Sequence, residues 1–214
     1  MHFLSDDLEQ YIEQHSENEP ELLAKLNKET YQKVLLPRML SGHYQGRVLS
    51  LLSKLVNPKT ILEIGTYTGY SALCLCEGMQ KNGVLHTIDI KEELVDFQRK
   101  YFDLSPWGSQ IIQHVGEALT VIPTIEEKFD LVFIDADKEN YIHYFKLIIP
   151  KMKIGGIILS DNVLWSGKIT QNIHPNDIAT KVLIEYNLLL KSDSRVESVM
   201  LPIRDGLTVS RVVK

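Results

Sequence analysis

The segment at 60–71, TILEIGTYTGYS, limits what this chain can fold into more than any other stretch. A short run of branched apolar residues ends in Glu63 and Gly65, and a helical pattern begins near Tyr70. This order predicts a strand, a tight glycine turn and a helix whose first N–H groups are unpaired. Gly65 and Gly69 lack a Cβ where the chain turns sharply and where a ligand approaches the backbone. The segment therefore predicts a crevice for a nucleotide-like ligand.

The spacing of the glycines indicates which nucleotide-like ligand fits. A dinucleotide fingerprint is G-x-G-x-x-G, whereas Tyr67 stands here in place of the second glycine. A side chain at that place leaves little room for a diphosphate, and Glu63 would repel one while accepting a hydrogen bond from an ammonium group. Asp89 ends the second predicted strand at the interval where an acid reaches a ribose diol. The combination favours S-adenosylmethionine over NAD, and an NAD-dependent dehydrogenase remains the alternative enzyme.

Length and composition restrict the class of protein and its partners. With 214 residues, 44% hydrophobic and 24% charged, the chain is expected to be one soluble globular domain over residues 1–214. A formal net charge of −5 predicts neither a nucleic acid nor a membrane partner. No run approaches the roughly 18 apolar residues of a membrane span, so a cytoplasmic location is expected. Cys74 and Cys76, two apart on a predicted helix, are expected to be buried thiols and not a disulfide.

The hydrophobic pattern predicts an α/β fold with a doubly wound parallel sheet. Residues 1–40 are expected to form a helical extension, with helices at 5–16 and 20–34, that packs on one sheet edge or contributes to a lid or dimer contact. A polar break is predicted at 41–46. The last two strands are separated by only five residues, so the final strand is expected to run antiparallel to its predecessor. The predicted strands are 60–64, 84–88, 110–114, 129–135, 156–160, 196–202 and 208–213, and the further helices are 48–56, 70–80, 91–102, 117–125, 139–151 and 176–191.

A second set of polar residues follows the fourth and fifth predicted strands. Asp135, Asp137 and Lys138 come after one, and Asp161 and Asn162 after the other. Ligands in such sheets bind at the carboxyl ends of the strands, and oxygen donors of this kind suit a hard divalent cation. Taken singly, each residue has a structural alternative: either acid of the first group could cap a helix, Asp161 and Asn162 could form a turn, and Lys138 could be solvated.

Together, the predicted cation site, Lys138 and the predicted cofactor crevice allow one specific reaction, a methyl transfer. A cation that holds two neighbouring oxygens of a diol would lower the pKa of one hydroxyl. Lys138 could take that proton or hold the oxyanion in place. The alkoxide would then attack the methyl carbon of a sulfonium lying over Gly65. The residues therefore favour a methyl transfer to a hydroxyl of a small diol, and a non-catalytic scaffold that keeps the cofactor fold is the alternative from another class.

At these residues the sequence resembles the cation-dependent O-methyltransferase family, which contains the caffeoyl-CoA and catechol O-methyltransferases. It is most similar to the caffeoyl-CoA type and its bacterial relatives. The resemblance runs from about residue 33 to the last residue. Five blocks stand in family order: EIGTYTGYS at 63–71, FIDADKENY at 133–141, GG at 155–156, DNVLW at 161–165 and LPIRDGL at 201–207.

The resemblance implies a Rossmann-like class I methyltransferase fold with seven strands, mostly parallel, and an antiparallel last strand. It implies a metal site for Mg²⁺, Mn²⁺ or Ca²⁺, Lys138 as catalytic base or orienter, and a homodimer. Asp135 would lie near the sulfonium, Asp89 would hold the ribose hydroxyls, and Glu63 would hold the methionine end. The implied metal ligands are Asp135, Asp161 and Asn162, and the implied S-adenosylmethionine site is Ser41, Glu63, Gly65, Thr66, Ser71, Asp89, Ala118 and Asp135.

The sequence departs from the family where the acceptor would bind. Ser166 stands where plant members often carry an asparagine that contacts the substrate, and 168–177 is a variable loop. Trp165 and Tyr141 could stack on an aromatic ring or serve packing. The identity of the methyl acceptor is therefore left open.

Overall fold

The computed structural model describes residues 5–214, in which seven strands form one sheet flanked by helices. The strands are β1 Thr60–Ile64, β2 Val84–Asp89, β3 Ile111–Val115, β4 Phe129–Ile134, β5 Met152–Asp161, β6 Val196–Leu201 and β7 Leu207–Val212. The α-helices are α1 Asp6–Gln14, α2 Glu21–Lys33, α3 Gly42–Val56, α4 Tyr70–Cys76, α5 Val95–Leu104, α6 Ala118–Val121, α7 Tyr141–Ile148 and α8 Ile178–Ser192. Short 3₁₀ turns cover Pro37–Met39, Glu92–Leu94, Gly108–Gln110, Ile122–Thr124, Lys138–Asn140, Ile149–Lys151 and Trp165–Thr170.

The sheet has the order β3-β2-β1-β4-β5-β7-β6, with β1 between β2 and β4 and parallel to both. All of β1 and nearly all of β4 are buried, as expected for central strands that helices cover on both faces. The predicted doubly wound sheet is confirmed. From β1 the chain winds to β2 and β3 on one side and later to β4 and β5 on the other, so the carboxyl ends of β1 and β4 border a crevice.

The final strand lies inside the sheet and not at its edge. β7 runs antiparallel to both β5 and β6 and lies between them, which confirms the predicted antiparallel direction. Its place between those two strands was not predicted. Four of the six residues of β7 are buried, whereas only one of the six residues of β6 is buried. The more buried of the two strands thus takes the interior position.

The predicted polar break at 41–46 is wrong, because α3 already begins at Gly42. Gly46 is needed for close helix packing: a Cβ there would stand 2.6 Å from the Tyr70 ring on α4. Gln45 is almost fully buried, at 1% exposed. A polar, glycine-containing stretch therefore forms the inner face of a helix, since its small and polar residues meet other protein groups and not solvent.

Several predicted helices are shorter than expected. The one at 117–125 is the four-residue α6 followed by a 3₁₀ turn that contains Pro123. The one at 139–151 is α7 with a 3₁₀ turn at each end, the second containing Pro150. In both cases the proline lacks the N–H that an α-helix would need there. β5 starts at Met152, four residues before the predicted strand.

The N-terminal extension packs on the helices that cover one face of the sheet. α2 lies against α4 and α5, and its Leu23 and Leu26 are buried. The hydroxyl of Tyr70 donates a hydrogen bond of 2.6 Å to Glu19, just before α2, and the Lys100 ammonium lies 2.5 Å from Glu29. These contacts attach the extension to the rest of the chain. Residues 1–4 of the predicted extension lie outside the described residues.

Apolar side chains form two clusters, one on each face of the sheet. Cys74 and Cys76 belong to one of them and are free, buried thiols, as predicted. Burial raises the pKa of both thiols. Over residues 5–214, no helix combines the length and the apolar character that crossing a membrane requires.

A buried ion pair joins α3 to the end of α4. The Arg47 guanidinium, 8% exposed, donates to both carboxylate oxygens of Glu77, at 2.6 and 3.0 Å. Glu77→Ala is expected to lower the free energy of unfolding by about 3–5 kcal/mol, because it leaves the guanidinium without its carboxylate. Urea unfolding would measure the loss.

An exposed pair provides the matched control for this variant. Glu197 lies 3.8 Å from Arg211, and both side chains are more than half exposed. Glu197→Ala should therefore cost less than about 1 kcal/mol. Equal losses for the two alanine variants would contradict a stabilising role for the buried pair.

Candidate active site

A cavity of about 750 Å³ lies at the carboxyl ends of the parallel strands. Its walls come from the glycine turn after β1, the ends of β2 and β4, and the segment before α3. Among the predicted catalytic, cofactor-binding and metal-binding residues, those that line it are Ser41, Gly65, Thr66, Ser71, Asp89, Ala118, Asp135, Lys138, Asp161 and Asn162. Glu63 does not line it. The structure thus brings together the two sets of residues that the sequence placed at separate strand ends.

The glycine turn is held by the neighbouring strand. Gly65 has φ +101°, and a Cβ there would stand 2.0 Å from the main-chain oxygen of Asp135. The Asp135 N–H donates to the carbonyl of Ile64, and the Gly65 N–H donates to that of Ile88, both at 2.9 Å. The sequence predicted a glycine for a turn and a close ligand. The structure adds a close approach of the backbone that carries Asp135.

Asp89 closes the turn. Its Oδ2 accepts the N–H groups of Thr66 and Tyr67, at 3.1 and 2.7 Å, and its Oδ1 accepts the N–H of Lys91 at 3.0 Å. Tyr67 itself has φ +48°. Two N–H donors that a dinucleotide turn would offer to a pyrophosphate are therefore already used by the protein. Oδ2 thus already accepts two N–H groups, whereas Oδ1 keeps acceptor capacity for a ligand hydroxyl.

Glu63 lies beneath the cavity floor and is fully buried. One oxygen accepts the hydroxyl of Ser71 and the other that of Thr87, both at 2.5 Å. Burial raises the pKa of Glu63 to about 8, and these two hydroxyl bonds act against that rise, while the charges of Asp135 and Asp89 add to it. Because Ser71 lines the cavity, the influence of Glu63 reaches a ligand through that hydroxyl.

The second set of residues forms a cluster on the opposite wall. Lys138 is 7% exposed, and its ammonium lies 3.2 Å from Asp135 Oδ1 and 2.7 Å from the hydroxyl of Tyr141. The solvated alternative for this lysine is therefore wrong. The Tyr141 hydroxyl also lies 2.9 Å from the main-chain oxygen of Asp161. Tyr141 is fully buried, so between the two aromatic residues considered for stacking only Trp165 lines the cavity.

Asp161 is held through both of its carboxylate oxygens. Oδ1 accepts the Asn162 N–H at 2.8 Å, and Oδ2 accepts the side-chain amide of Gln45 at 2.6 Å. Burial and then the neighbouring charge of Asp135 raise the pKa of Asp161 to about 7, against the effect of Lys138. Gln45 was missed in the sequence, because it fell in the stretch that was interpreted as a polar break.

The structure also shows which of these residues serve at a helix start or in a turn. Asp137, and not Asp135, takes the N-cap position of the 3₁₀ turn that starts at Lys138. Its carboxylate makes no capping bond to the backbone and accepts hydrogen bonds from the side chains of Asn140 and Tyr144. Asn162 adopts φ +57° and starts a turn, since its carbonyl accepts the N–H of Trp165 at 3.1 Å. The turn and the exposure to the cavity are therefore compatible.

The oxygen atoms of the predicted metal ligands suit a hard cation, but only three side chains supply them. Two carboxylates and one amide from Asp135, Asp161 and Asn162 line the same cavity. Over residues 5–214, no group of three or more histidine, cysteine, aspartate or glutamate side chains is arranged to hold a metal ion. A cation here would thus depend on the asparagine and on ligands from water or substrate.

The chain is similar to known O-methyltransferases over almost its whole length. The family model described as O-methyltransferase matches residues 13–213. Caffeoyl-CoA O-methyltransferase from Petroselinum crispum is 37% identical, covering 97% of this chain and 91% of that protein. The SAH-bound methyltransferase PaMTH1 from Podospora anserina superposes with a TM-score of 0.89 at 29% identity, covering 98% of this chain and 95% of that one. An O-methyltransferase from Bacillus cereus in complex with SAH gives a TM-score of 0.89 at 27% identity, covering 96% and 97%.

Gly65→Ala is expected to lower the free energy of unfolding by more than about 3 kcal/mol. It combines the cost of a positive φ, about 1–2 kcal/mol, with displacement of the Asp135 backbone. Gly155→Ala is the matched control, because Gly155 has φ +85° and a Cβ added there would meet no atom within 4 Å. Urea unfolding of both variants separates the two costs. Equal losses would show that the Asp135 backbone does not constrain the turn.

Glu63→Gln is expected to change how stability depends on pH. Between the ordinary pKa of 4.5 and the raised value of about 8, the folded protein holds a proton on Glu63 that the unfolded chain lacks. The stability of the natural protein therefore falls as pH rises through this window, and the glutamine variant lacks this contribution. Urea unfolding at pH 6 and pH 8.5 should show the variant gaining at least about 1.4 kcal/mol relative to the natural protein. Parallel pH profiles would contradict a protonated Glu63.

Proposed function

The chain belongs to the O-methyltransferase family, and we propose that it transfers a methyl group from S-adenosylmethionine to one hydroxyl of a catechol-like diol held by a divalent cation. Membership in this family favours the methyltransferase over the NAD-dependent dehydrogenase, and no observation of the site favours the dehydrogenase. The cation, the diol and the residue roles below belong to the proposal. A homodimer and a cytoplasmic location remain predictions.

One observation carries the proposal. The wall that holds Asp135, Lys138, Asp161 and Asn162 faces the same cavity as the glycine turn, and Gly65 touches the Asp135 backbone. An acceptor oxygen bound at the cluster would therefore lie close to a methyl group bound over the turn. Methyl transfer needs this proximity, because the attacking oxygen, the methyl carbon and the leaving sulfur must stand in line.

The turn suits a cofactor without phosphates. The carboxylate of Asp89 occupies the N–H groups of Thr66 and Tyr67, which favours a ligand that presents hydroxyls and not a diphosphate. Asp89 would hold the ribose hydroxyls, and Ser71 with Glu63 behind it would hold the methionine end. Ser41, Gly65, Thr66 and Ala118 complete the lining.

Asp135, Asp161 and Asn162 would hold the divalent cation, with Mg²⁺ the first choice because all donors are oxygens. When bound, such an ion lowers the pKa of a hydroxyl and fixes two neighbouring oxygens of a diol. The neighbouring negative charge of Asp135, which adds to the raised pKa of Asp161, also favours a cation at this wall. A site with this cation would therefore select acceptors that have two adjacent oxygens.

Lys138 is placed to move the proton. In its neutral form it would accept the proton from the acceptor hydroxyl, while the Tyr141 hydroxyl at 2.7 Å keeps its nitrogen at the cluster. The acceptor oxygen then forms a bond to the methyl carbon, the carbon–sulfur bond breaks, and its electron pair stays on sulfur as S-adenosylhomocysteine leaves. Trp165 at the cavity wall offers a surface for an aromatic ring.

The similar proteins leave two acceptor sizes to be tested. Several similar plant proteins are named caffeoyl-CoA O-methyltransferases, so a catechol carried on a CoA ester stands beside free catechols as acceptor. Both present the same pair of hydroxyls to the cluster. Assaying caffeoyl-CoA and caffeic acid side by side distinguishes them.

The test is methyl transfer from labelled S-adenosylmethionine to these two acceptors, with Mg²⁺ and with EDTA. We expect transfer that EDTA abolishes and Mg²⁺ restores. Lys138→Met should lower kcat by about 10²–10⁴-fold, the usual range for a lost acid–base group, and Asp161→Ala should abolish the response to Mg²⁺.

Asp103→Ala is the matched control, because that carboxylate is exposed on α5 and pairs with Arg99 on the same helix. It should retain full activity. Transfer that survives EDTA would remove the cation from the mechanism. Cofactor binding without transfer to either acceptor would favour the non-catalytic scaffold or another acceptor class.

A further inference from the structure

Three residues from distant parts of the chain form a line of side-chain contacts at the cavity wall, in which Gln45 and Asp161 are buried and Arg204 is exposed. Arg204 from the turn between β6 and β7 contacts Gln45 on α3, and Gln45 contacts Asp161 at the end of β5. We propose that Gln45 is a positioning residue for the carboxylate of Asp161, which would bind the metal, and that Arg204 holds the Gln45 amide in the orientation that this contact requires. This inference rests on the proposed function.

The contacts allow only one orientation of the Gln45 amide. Its Oε1 accepts from Arg204 Nη1 at 2.9 Å, and its Nε2 donates to Asp161 Oδ2 at 2.6 Å. A guanidinium can only donate and a carboxylate can only accept. The amide flipped by 180° would therefore face a donor with its NH₂ group and an acceptor with its oxygen. Gln45 itself is 1% exposed, so its amide is shielded from bulk water.

The carboxylate of Asp161 is then fixed at both ends. Gln45 holds Oδ2, and the Asn162 N–H holds Oδ1 at 2.8 Å. Each oxygen still has acceptor capacity for a cation. Partners that hydrogen-bond to a ligating carboxylate typically change metal affinity by 10–100-fold when they are removed.

Arg204 connects this carboxylate to the cofactor side of the cavity. The same Nη1 contacts the main-chain oxygens of Leu40 and Ser41, which line the cavity. Arg204 also adopts φ +48°, a backbone conformation that costs free energy for a residue with a side chain. Its side-chain contacts offset that cost, so the arginine is placed by tertiary contacts and not by the turn.

The test measures cation binding without catalysis. Mn²⁺ binding to the full-length protein, followed by isothermal titration calorimetry and by the loss of the free Mn²⁺ spin-resonance signal, needs neither cofactor nor acceptor. Gln45→Leu keeps the volume and removes both hydrogen bonds, and it should weaken Mn²⁺ binding at least about tenfold. S-adenosylmethionine affinity of this variant should stay within about twofold.

Two further variants separate positioning from folding. Arg204→Gly suits the positive φ, so it should fold and still weaken Mn²⁺ binding, whereas Arg204→Lys should restore part of the affinity by donating to the Gln45 oxygen. Ser53→Ala is the matched control, because Ser53 is a buried residue on the same helix and the substitution removes one hydrogen bond, to the Leu75 carbonyl. It should leave Mn²⁺ binding unchanged.

The outcomes are distinct. If the natural protein binds no Mn²⁺, the proposed cation mechanism fails and this inference fails with it. If the natural protein binds Mn²⁺ and Gln45→Leu binds it equally well or more tightly with a native circular-dichroism spectrum, only the positioning role is overturned. Weaker binding in Gln45→Leu and Arg204→Gly, with normal binding in Ser53→Ala, supports it.

Discussion

The structure depends on the contact between the turn after β1 and the backbone after β4. With a hydrogen at Gly65 in place of a side chain, the Asp135 carbonyl lies where a Cβ would be, and the two central strands end side by side. The glycine turn and the acidic wall are therefore parts of one unit. A cofactor bound over the turn and an acceptor bound at the wall would be brought together by the sheet itself, with no domain movement.

Two buried carboxylates lie on opposite sides of this contact. Glu63 is fully buried below the turn, and Asp161 is 2% exposed in the wall. Burial raises the pKa of each one, and Asp135 adds to both shifts. Buried acids with raised pKa values at one cavity are typical of functional sites. A positively charged ligand would favour the ionised form of each acid, and both S-adenosylmethionine and a divalent cation carry positive charge.

Much of the fold followed from local patterns. Branched apolar runs marked β1 and β4, and the short link before β7 fixed its direction, because five residues cannot cross over a sheet. The misplaced polar break arose where partners are distant in the chain. Residues 41–46 have the composition of a loop, yet Gly46 packs against Tyr70 and Gln45 contacts Asp161, and 42–46 form the start of α3. Prolines at 123 and 150 shortened two helices that periodicity alone had extended.

The sequence by itself determined the glycine turn, the strand-end acids and their meeting at one rim, because those depend on residue type and on the rule that parallel strands share their carboxyl ends. It could not decide which of these side chains are buried, which reach a ligand, or what holds them. Glu63 lies behind Ser71, Lys138 is held by Tyr141, and Asp161 is held by Gln45 and Arg204. Those relations join residues up to 159 positions apart, and only the packed tertiary structure brings such residues within hydrogen-bond distance.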